Sequence, residues 1–188
     1  MAIILASQSP RRKELLGQIV EDFSIEPADI DETIHEKDQP QEYVQRMAKT
    51  KAAVVSEHHP EDLVIACDTI VVADGKILGK PKNSAEAFAM LKRLSGRMHH
   101  VYTGVVLRKD KQIESAIVPA KVLFFDLTDE EIKKYLKTGE YSDKAGAYGI
   151  QGKAGVFVKK IDGDYYSIVG FPTGVVYQML KKFTPVSN

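Results

Sequence analysis

The sequence predicts an α/β fold, a mixed twisted β-sheet flanked by helices, and three observations carry that prediction. Residues 2–6 and 63–67 are short, wholly apolar runs of the kind that form strands buried on both faces. Helical apolar spacing, bounded by cap and stop residues, recurs between such runs. Residues 101–107 and 113–125 alternate around a charged turn like the arms of an antiparallel pair, so the sheet is mixed rather than purely parallel.

The first expected strand, residues 2–6, is interrupted by Ser7-Gln8-Ser9. Pro10 stands where a helix opens, its fixed φ and missing N–H costing nothing there, with Ser9 as N-cap and Gly17 as stop. A short strand over 23–26 leads to the acidic stretch Asp29-Ile30-Asp31-Glu32. Residues 41–56 read as a helix with Val44, Met47, Ala48 and Val55 near helical spacing. The second buried strand, 63–67, runs into Asp68-Thr69 and on through 70–73. Asp74-Gly75 turns it back to Ile77-Leu78, and Gly79-Lys80-Pro81 ends the unit. Asn83 with Glu86, and Thr128 with Glu131, are capping-box pairs opening helices towards Leu94 and Lys137, with Gly96 and Gly139 beyond them. Residues 143–155 carry Gly146, Gly149, Gly152 and Gly155, which favours tight backbone geometry over periodic packing. A last hairpin is expected from Val156-Phe157-Val158, through Asp162-Gly163-Asp164, to a strand over 165–169. Pro172 starts a closing amphipathic helix with Val175, Val176, Met179, Leu180 and Phe183.

A length of 188 residues suits a single domain, 1–188, with room for two lobes, and 44% hydrophobic residues supply a normal core. Lys+Arg and Asp+Glu both count 26, so there is no broad positive field for nucleic acid or an anionic membrane, although a small positive pocket remains compatible. The single cysteine, Cys67, permits no intrachain disulfide. No apolar run approaches the roughly 18 residues that span a bilayer, and the first residues lack the pattern of a signal peptide. A cytoplasmic location is the expectation.

Five places offer chemistry. The turn Ser7–Arg12 puts hydroxyls and guanidinium groups beside a helix N-terminus, which suits phosphate, although it has neither the P-loop nor the GxGxxG spacing. Asp68-Thr69 ends a buried strand, where ligands usually bind in an α/β sheet. An aspartate there needs a partner, as a ligand of a divalent metal or as the general base for a water. Asp31 and Glu32 are candidates to complete a hard-cation site with Asp68. Lys51 and Lys80 are candidates to neutralise phosphate charge. The glycine-rich segment, with Asp143, Lys144, Tyr148 and Gln151, is a candidate to close over a base or sugar, and the Gln151 amide suits a pyrimidine edge. Taken singly, each of these has an ordinary structural explanation: a capped helix, a turn Asp, a solvated loop, a surface ammonium. The adjacent pairs His58-His59 and His99-His100 lack the i, i+4 spacing of a helical zinc site, and Cys67 lies in an apolar strand as inert packing.

Read together, these residues resemble the Maf family of nucleotide pyrophosphatases. The resemblance is carried by residues 5–16 (LASQSPRRKELL), Asp68-Thr69, Gly79-Lys80-Pro81, Leu94-Ser95-Gly96, residues 143–152 (DKAGAYGIQG) and Gly170-Phe171-Pro172, with Phe171 where the family commonly has Leu. It spans nearly the whole chain in the same order. It implies two lobes around a central cleft, of Maf/ITPase-like type, and hydrolysis of a nucleoside triphosphate to the monophosphate and pyrophosphate. The family's catalytic carboxylate falls on Asp68 and its second acidic residue on Glu32, with Mg²⁺ or Mn²⁺ as the metal. Its phosphate-binding groups fall on Ser7, Arg11, Arg12, Lys51 and Lys80. Arg11, Thr69 and Gln151 match the branch that prefers dTTP and UTP, whereas a branch acting on 7-methyl-GTP carries Trp, Gln and Glu there. The resemblance also suggests a homodimer. The competing reading is a nucleotide-binding regulator of cell division without significant turnover, which has little use for a carboxylate pair.

Overall fold

The computed structural model describes residues 1–183. Its elements are β1 (Ile3–Leu5), α1 (Pro10–Leu16), β2 (Ser24–Ile25), α2 (Pro40–His58), β3 (Leu63–Ala73), β4 (Lys76–Leu78), α3 (Ser84–Leu94), β5 (Met98–Lys109), β6 (Gln112–Phe124), α4 (Asp129–Leu136), β7 (Val158–Gly163), α5 (Tyr165–Val169) and α6 (Thr173–Leu180). Seven strands form one sheet in the order β2-β1-β3-β5-β6-β7, with β4 paired to β3. It is mixed: β1 runs parallel to β2 and β3, whereas β3–β4 and β6–β7 are antiparallel.

The chain divides into two compact units. The first comprises Met1–Asp68, Thr103–Val118 and the chain from Gly170 onward; the second comprises Thr69–Tyr102 and Pro119–Val169. In the first unit, Ile4, Val64, Ala66 and Val106 of the strands, with Ala6 just beyond β1, meet Ala48, Ala52 and Val55 of α2. The small Ala48 and Ala52 let the helix lie close to the sheet. Gly104 of β5 allows the nearest approach, because a Cβ built there would stand 2.8 Å from the Val44 carbonyl oxygen. The second unit has its own core, in which Leu91, Leu94, Phe124, Ile132 and Phe157 are buried together.

Local chemistry explains most boundaries. Ser9 Oγ accepts from the Arg12 N–H at 3.4 Å and caps α1 with Pro10 in its first turn. Thr128 and Glu131 form the full reciprocal capping box of α4. At α3 the exchange is different: Asn83 caps the Glu86 N–H, but Glu86 reaches back to the Lys82 N–H instead. Helix α2 is longer than its apolar spacing indicated, since Pro40 supplies its first turn and His58 its last. The expected strand over 165–169 is a helix instead, α5. Asp164 Oδ1 accepts from the Tyr166 and Ser167 N–H groups at 2.8 and 3.3 Å, so this aspartate starts a helix where the hairpin turn had indicated a strand. Among the described residues β7 therefore pairs with β6 alone, and α6 begins after Pro172 as its cap and ends before Phe183.

Candidate active site

The first unit assembles a charged cluster from three separate stretches of chain. Asp68, the last residue of β3 in this unit, is 9% exposed after five fully buried residues, and its Oδ1 accepts from Lys51 Nζ at 2.7 Å. Lys51, only 8% exposed on α2, also reaches Glu32 Oε1 at 2.5 Å. One ammonium thus joins two carboxylates that lie 36 residues apart in sequence (68 − 32). Burial of Lys51 or Asp68 alone would be costly, and their mutual compensation holds both here, with the exposed Glu32 carboxylate joining the ammonium from the loop.

Glu32 is exposed, on a loop that is itself exposed, and α2 holds it at two points. Its side chain meets Lys51, and its backbone carbonyl accepts from the Tyr43 hydroxyl at 2.8 Å. Tyr43 and Lys51 lie two helical turns apart on one stripe of α2, so both reach the same loop. Burial, with the negative charge of Asp68, Glu32 and Asp38, pushes the Tyr43 phenol far above its ordinary value, which keeps its proton available for donation. The Arg46 guanidinium lies 5.4 Å from the Tyr43 ring centroid and bonds Asp38 at 3.0 Å, bracing the same loop. Asp31 does not join the cluster: its Oδ1 accepts from the Thr33 N–H and hydroxyl at 2.9 and 2.6 Å in a local turn.

The opening turn also folds on itself in this unit. Ser7 Oγ accepts from the Ser9 N–H at 3.1 Å and from Arg12 Nη1 at 3.3 Å, while Arg12 Nε donates to the Gly170 carbonyl at 2.9 Å. Ser7 is buried and both Arg11 and Arg12 are half-buried, with no acidic residue in the first turn of α1. These contacts orient the Arg12 guanidinium beside the helix start, a geometry suited to an anion. Cys67, the residue before Asp68, is fully buried, and burial pushes its thiol up to about 11, so it is packing and not a nucleophile.

Thr69, Lys80 and Gln151 belong to the second unit, with Thr69 half-buried and the other two exposed. The glycine-rich segment docks beside Lys80, where the Gly146 N–H donates to the Gly79 carbonyl at 3.1 Å. Gly146 has φ +67 and sits against Val71, so a side chain there meets both strain and a neighbour. Tyr148 is not available to a ligand. Its hydroxyl meets His99 Nε2 at 2.7 Å inside the core, edge-on to Phe124. Lys144 is turned to its own loop, donating to the Glu140 carbonyl and Asp143. Tyr43, the partner of the Glu32 carbonyl, leaves one trace in the sequence, its helical spacing from Lys51.

Among the described residues, no group of three or more His, Cys, Asp or Glu is spaced to hold a metal ion. Glu32 and Asp68 nevertheless fit a hard cation, because two oxygen donors already enclose one positive charge. Mg²⁺ is commonly held by one or two carboxylates, its remaining positions going to water and substrate phosphates. No helix among the described residues is long and apolar enough to cross a membrane.

The chain is similar to known proteins over nearly its whole length. A family model described as "Maf-like protein" matches residues 2–183. The chain is 49% identical over 180 residues to a dTTP/UTP pyrophosphatase of Geobacillus sp. (strain WCH70), covering 96% of this chain and 97% of that one. It is 44% identical over 178 residues to a protein of the same name from Latilactobacillus sakei, covering 95% and 98%. A third of that name, from Pyrococcus abyssi, is 45% identical over 179 residues, covering 95% of each. The structure of the Staphylococcus aureus Ham1 protein superposes with a TM-score of 0.57 at 14% identity, covering 98% of this chain and all of that one, which is a likeness of fold. With the family model spanning all but the chain's ends, this protein belongs to the Maf family.

Proposed function

We propose that this protein is a nucleoside triphosphate pyrophosphatase that hydrolyses dTTP and UTP to the monophosphate and pyrophosphate. The observation that carries the proposal is the Glu32–Lys51–Asp68 cluster, in a chain whose relatives at 44–49% identity are named dTTP/UTP pyrophosphatases. Asp68 is the catalytic group: its carboxylate takes the proton of the water that opens the α–β anhydride, and pyrophosphate leaves. Glu32 and Asp68 would hold Mg²⁺ or Mn²⁺, which when bound supplies a Lewis acid for the phosphoryl oxygens. Ser7, Arg11, Arg12, Lys51 and Lys80 bind the triphosphate, guanidinium forks pairing with phosphate oxygens. Arg11, Thr69 and Gln151 select the pyrimidine nucleotide, the Gln151 amide serving the base edge. The enzyme acts in the cytoplasm as a homodimer.

The test pairs a substrate panel with one substitution. dTTP, UTP, CTP and the purine triphosphates are offered with and without Mg²⁺ or Mn²⁺, and products are identified. Pyrophosphate should appear first, fastest from dTTP and UTP, and only with metal. Asp68→Asn should lose roughly 10²- to 10⁴-fold in turnover, the range that a positioned acid or base contributes. Full activity in a folded Asp68→Asn would remove Asp68 from the mechanism, and orthophosphate as first product would point to a phosphatase instead of a pyrophosphatase.

A further inference from the structure

The position of Lys51 bears on how metal reaches the site. Its Nζ is within 2.7 Å of Asp68 Oδ1 and 2.5 Å of Glu32 Oε1, so the ammonium stands where a divalent ion shared by these carboxylates would stand. Two carboxylates and one ammonium leave a single net negative charge. A divalent ion added beside the ammonium would meet that charge and the repulsion of a second cation at contact distance. A triphosphate changes the balance, because its oxygens offer the ammonium another partner. The lysine stem is flexible, with a compact charge that can exchange a carboxylate for a phosphate oxygen. Glu32 need not be rebuilt during that exchange, since the Tyr43 hydroxyl holds its backbone carbonyl independently of Lys51.

We propose that Lys51 is the resident cation of the Glu32–Asp68 pair in the free enzyme, so that divalent metal enters the site together with the nucleotide rather than before it. The proposal rests on the reading of Glu32 and Asp68 as metal carboxylates. It makes Lys51 a gate on metal occupancy as well as a phosphate ligand, and it makes binding ordered: the metal–nucleotide complex is the species captured. Free metal at moderate concentration then neither loads the enzyme nor blocks it.

The experiment measures Mn²⁺ binding by electron paramagnetic resonance and calorimetry, without turnover. Wild type is titrated alone and with the α,β-methylene analogue of dTTP, the ternary species being separated from Mn²⁺–nucleotide by its line shape. Lys51→Met and Lys51→Met/Asp68→Asn are titrated alone, with circular dichroism to follow their fold. Wild type alone should bind Mn²⁺ at least about ten-fold more weakly than wild type with the analogue, the scale expected of a like charge at contact. Lys51→Met alone should gain at least about ten-fold over wild type, and adding Asp68→Asn should abolish that gain. If wild type alone binds Mn²⁺ as tightly as it does with the analogue, the metal site stands and the gate is refuted. If Mn²⁺ joins neither the free enzyme nor the analogue complex, the carboxylate reading fails and the gate fails with it. Because the analogue's phosphates also ligate Mn²⁺, the Lys51→Met gain is the supporting result, and a folded Lys51→Met that binds Mn²⁺ no tighter than wild type refutes the gate. Where Lys51→Met does not fold, equal wild-type affinities with and without the analogue still refute it.

Discussion

Replacing Tyr43 by Phe isolates one contact on which the placement of Glu32 depends. The change removes the hydroxyl that donates to the Glu32 carbonyl at 2.8 Å and keeps the buried ring and the Arg46 guanidinium packed 5.4 Å from its centroid. A hydrogen bond of this kind contributes about 1 kcal/mol net, and the Glu32 loop is open enough for water to satisfy the freed carbonyl. That energy corresponds to roughly a five-fold smaller equilibrium constant for Glu32 in place, and so to at most about a five-fold smaller population. Turnover of dTTP should therefore fall by up to about five-fold, and the Mg²⁺ concentration for half-maximal rate should rise by a factor of the same order. The melting temperature should drop only about 2–4 °C, as about 1 kcal/mol does in a chain of this size. The assay is pyrophosphate release across a Mg²⁺ series, run beside a thermal melt. A variant that melts lower but keeps wild-type turnover and wild-type Mg²⁺ dependence would refute the argument, because the hydroxyl would then serve stability alone.

Two further outcomes follow from the packing. Burial, aided by His100 and opposed by the Arg97 main chain, brings His99 from 6.5 down to about 4, so the unfolded chain binds its proton first as pH falls. The stabilisation is therefore complete above pH 6.5 and is lost as pH falls towards 4, about 3 kcal/mol in all. Urea unfolding over this range should show a steeper pH dependence in wild type than in His99→Gln, and parallel curves would count against the assignment. Gly104→Ala would place a Cβ 2.8 Å from the Val44 carbonyl oxygen, forcing α2 off the sheet at a cost of about 1–3 kcal/mol. Because α2 carries Tyr43 and Lys51, activity should fall with the urea midpoint, and an unchanged midpoint would show that the helix already has room.

Much of the frame was legible because it rests on short-range physics. Ser9-Pro10 at the start of α1, the Thr128–Glu131 box and the Asp74-Gly75 turn each involve residues within a few positions of one another, so their chemistry is visible in the sequence. The same reliance on local pattern failed at 165–169, where the Asp162-Gly163-Asp164 turn indicated a hairpin arm and Asp164 nevertheless caps a helix. Composition placed Tyr148 among ligand candidates, whereas His99, 49 residues away (148 − 99), claims its hydroxyl in the core.

By itself the sequence determined an α/β chain with a mixed sheet, the start and cap of α1, and an aspartate ending a buried strand. It also supplied a pattern specific enough to resemble one family from residue 5 to residue 172. The tertiary structure decided which charges meet. Glu32, Lys51 and Asp68 come from a loop, a helix and a strand, and only the seating of α2 on the sheet through Ala48, Ala52 and Gly104 brings the ammonium between the carboxylates. Asp31 and Glu32 are neighbours of like chemistry, yet Asp31 turns to Thr33 and Glu32 turns to Lys51. That choice follows from which partner lies within reach after packing, since Coulomb and hydrogen-bond energies depend on distances that residue order does not contain.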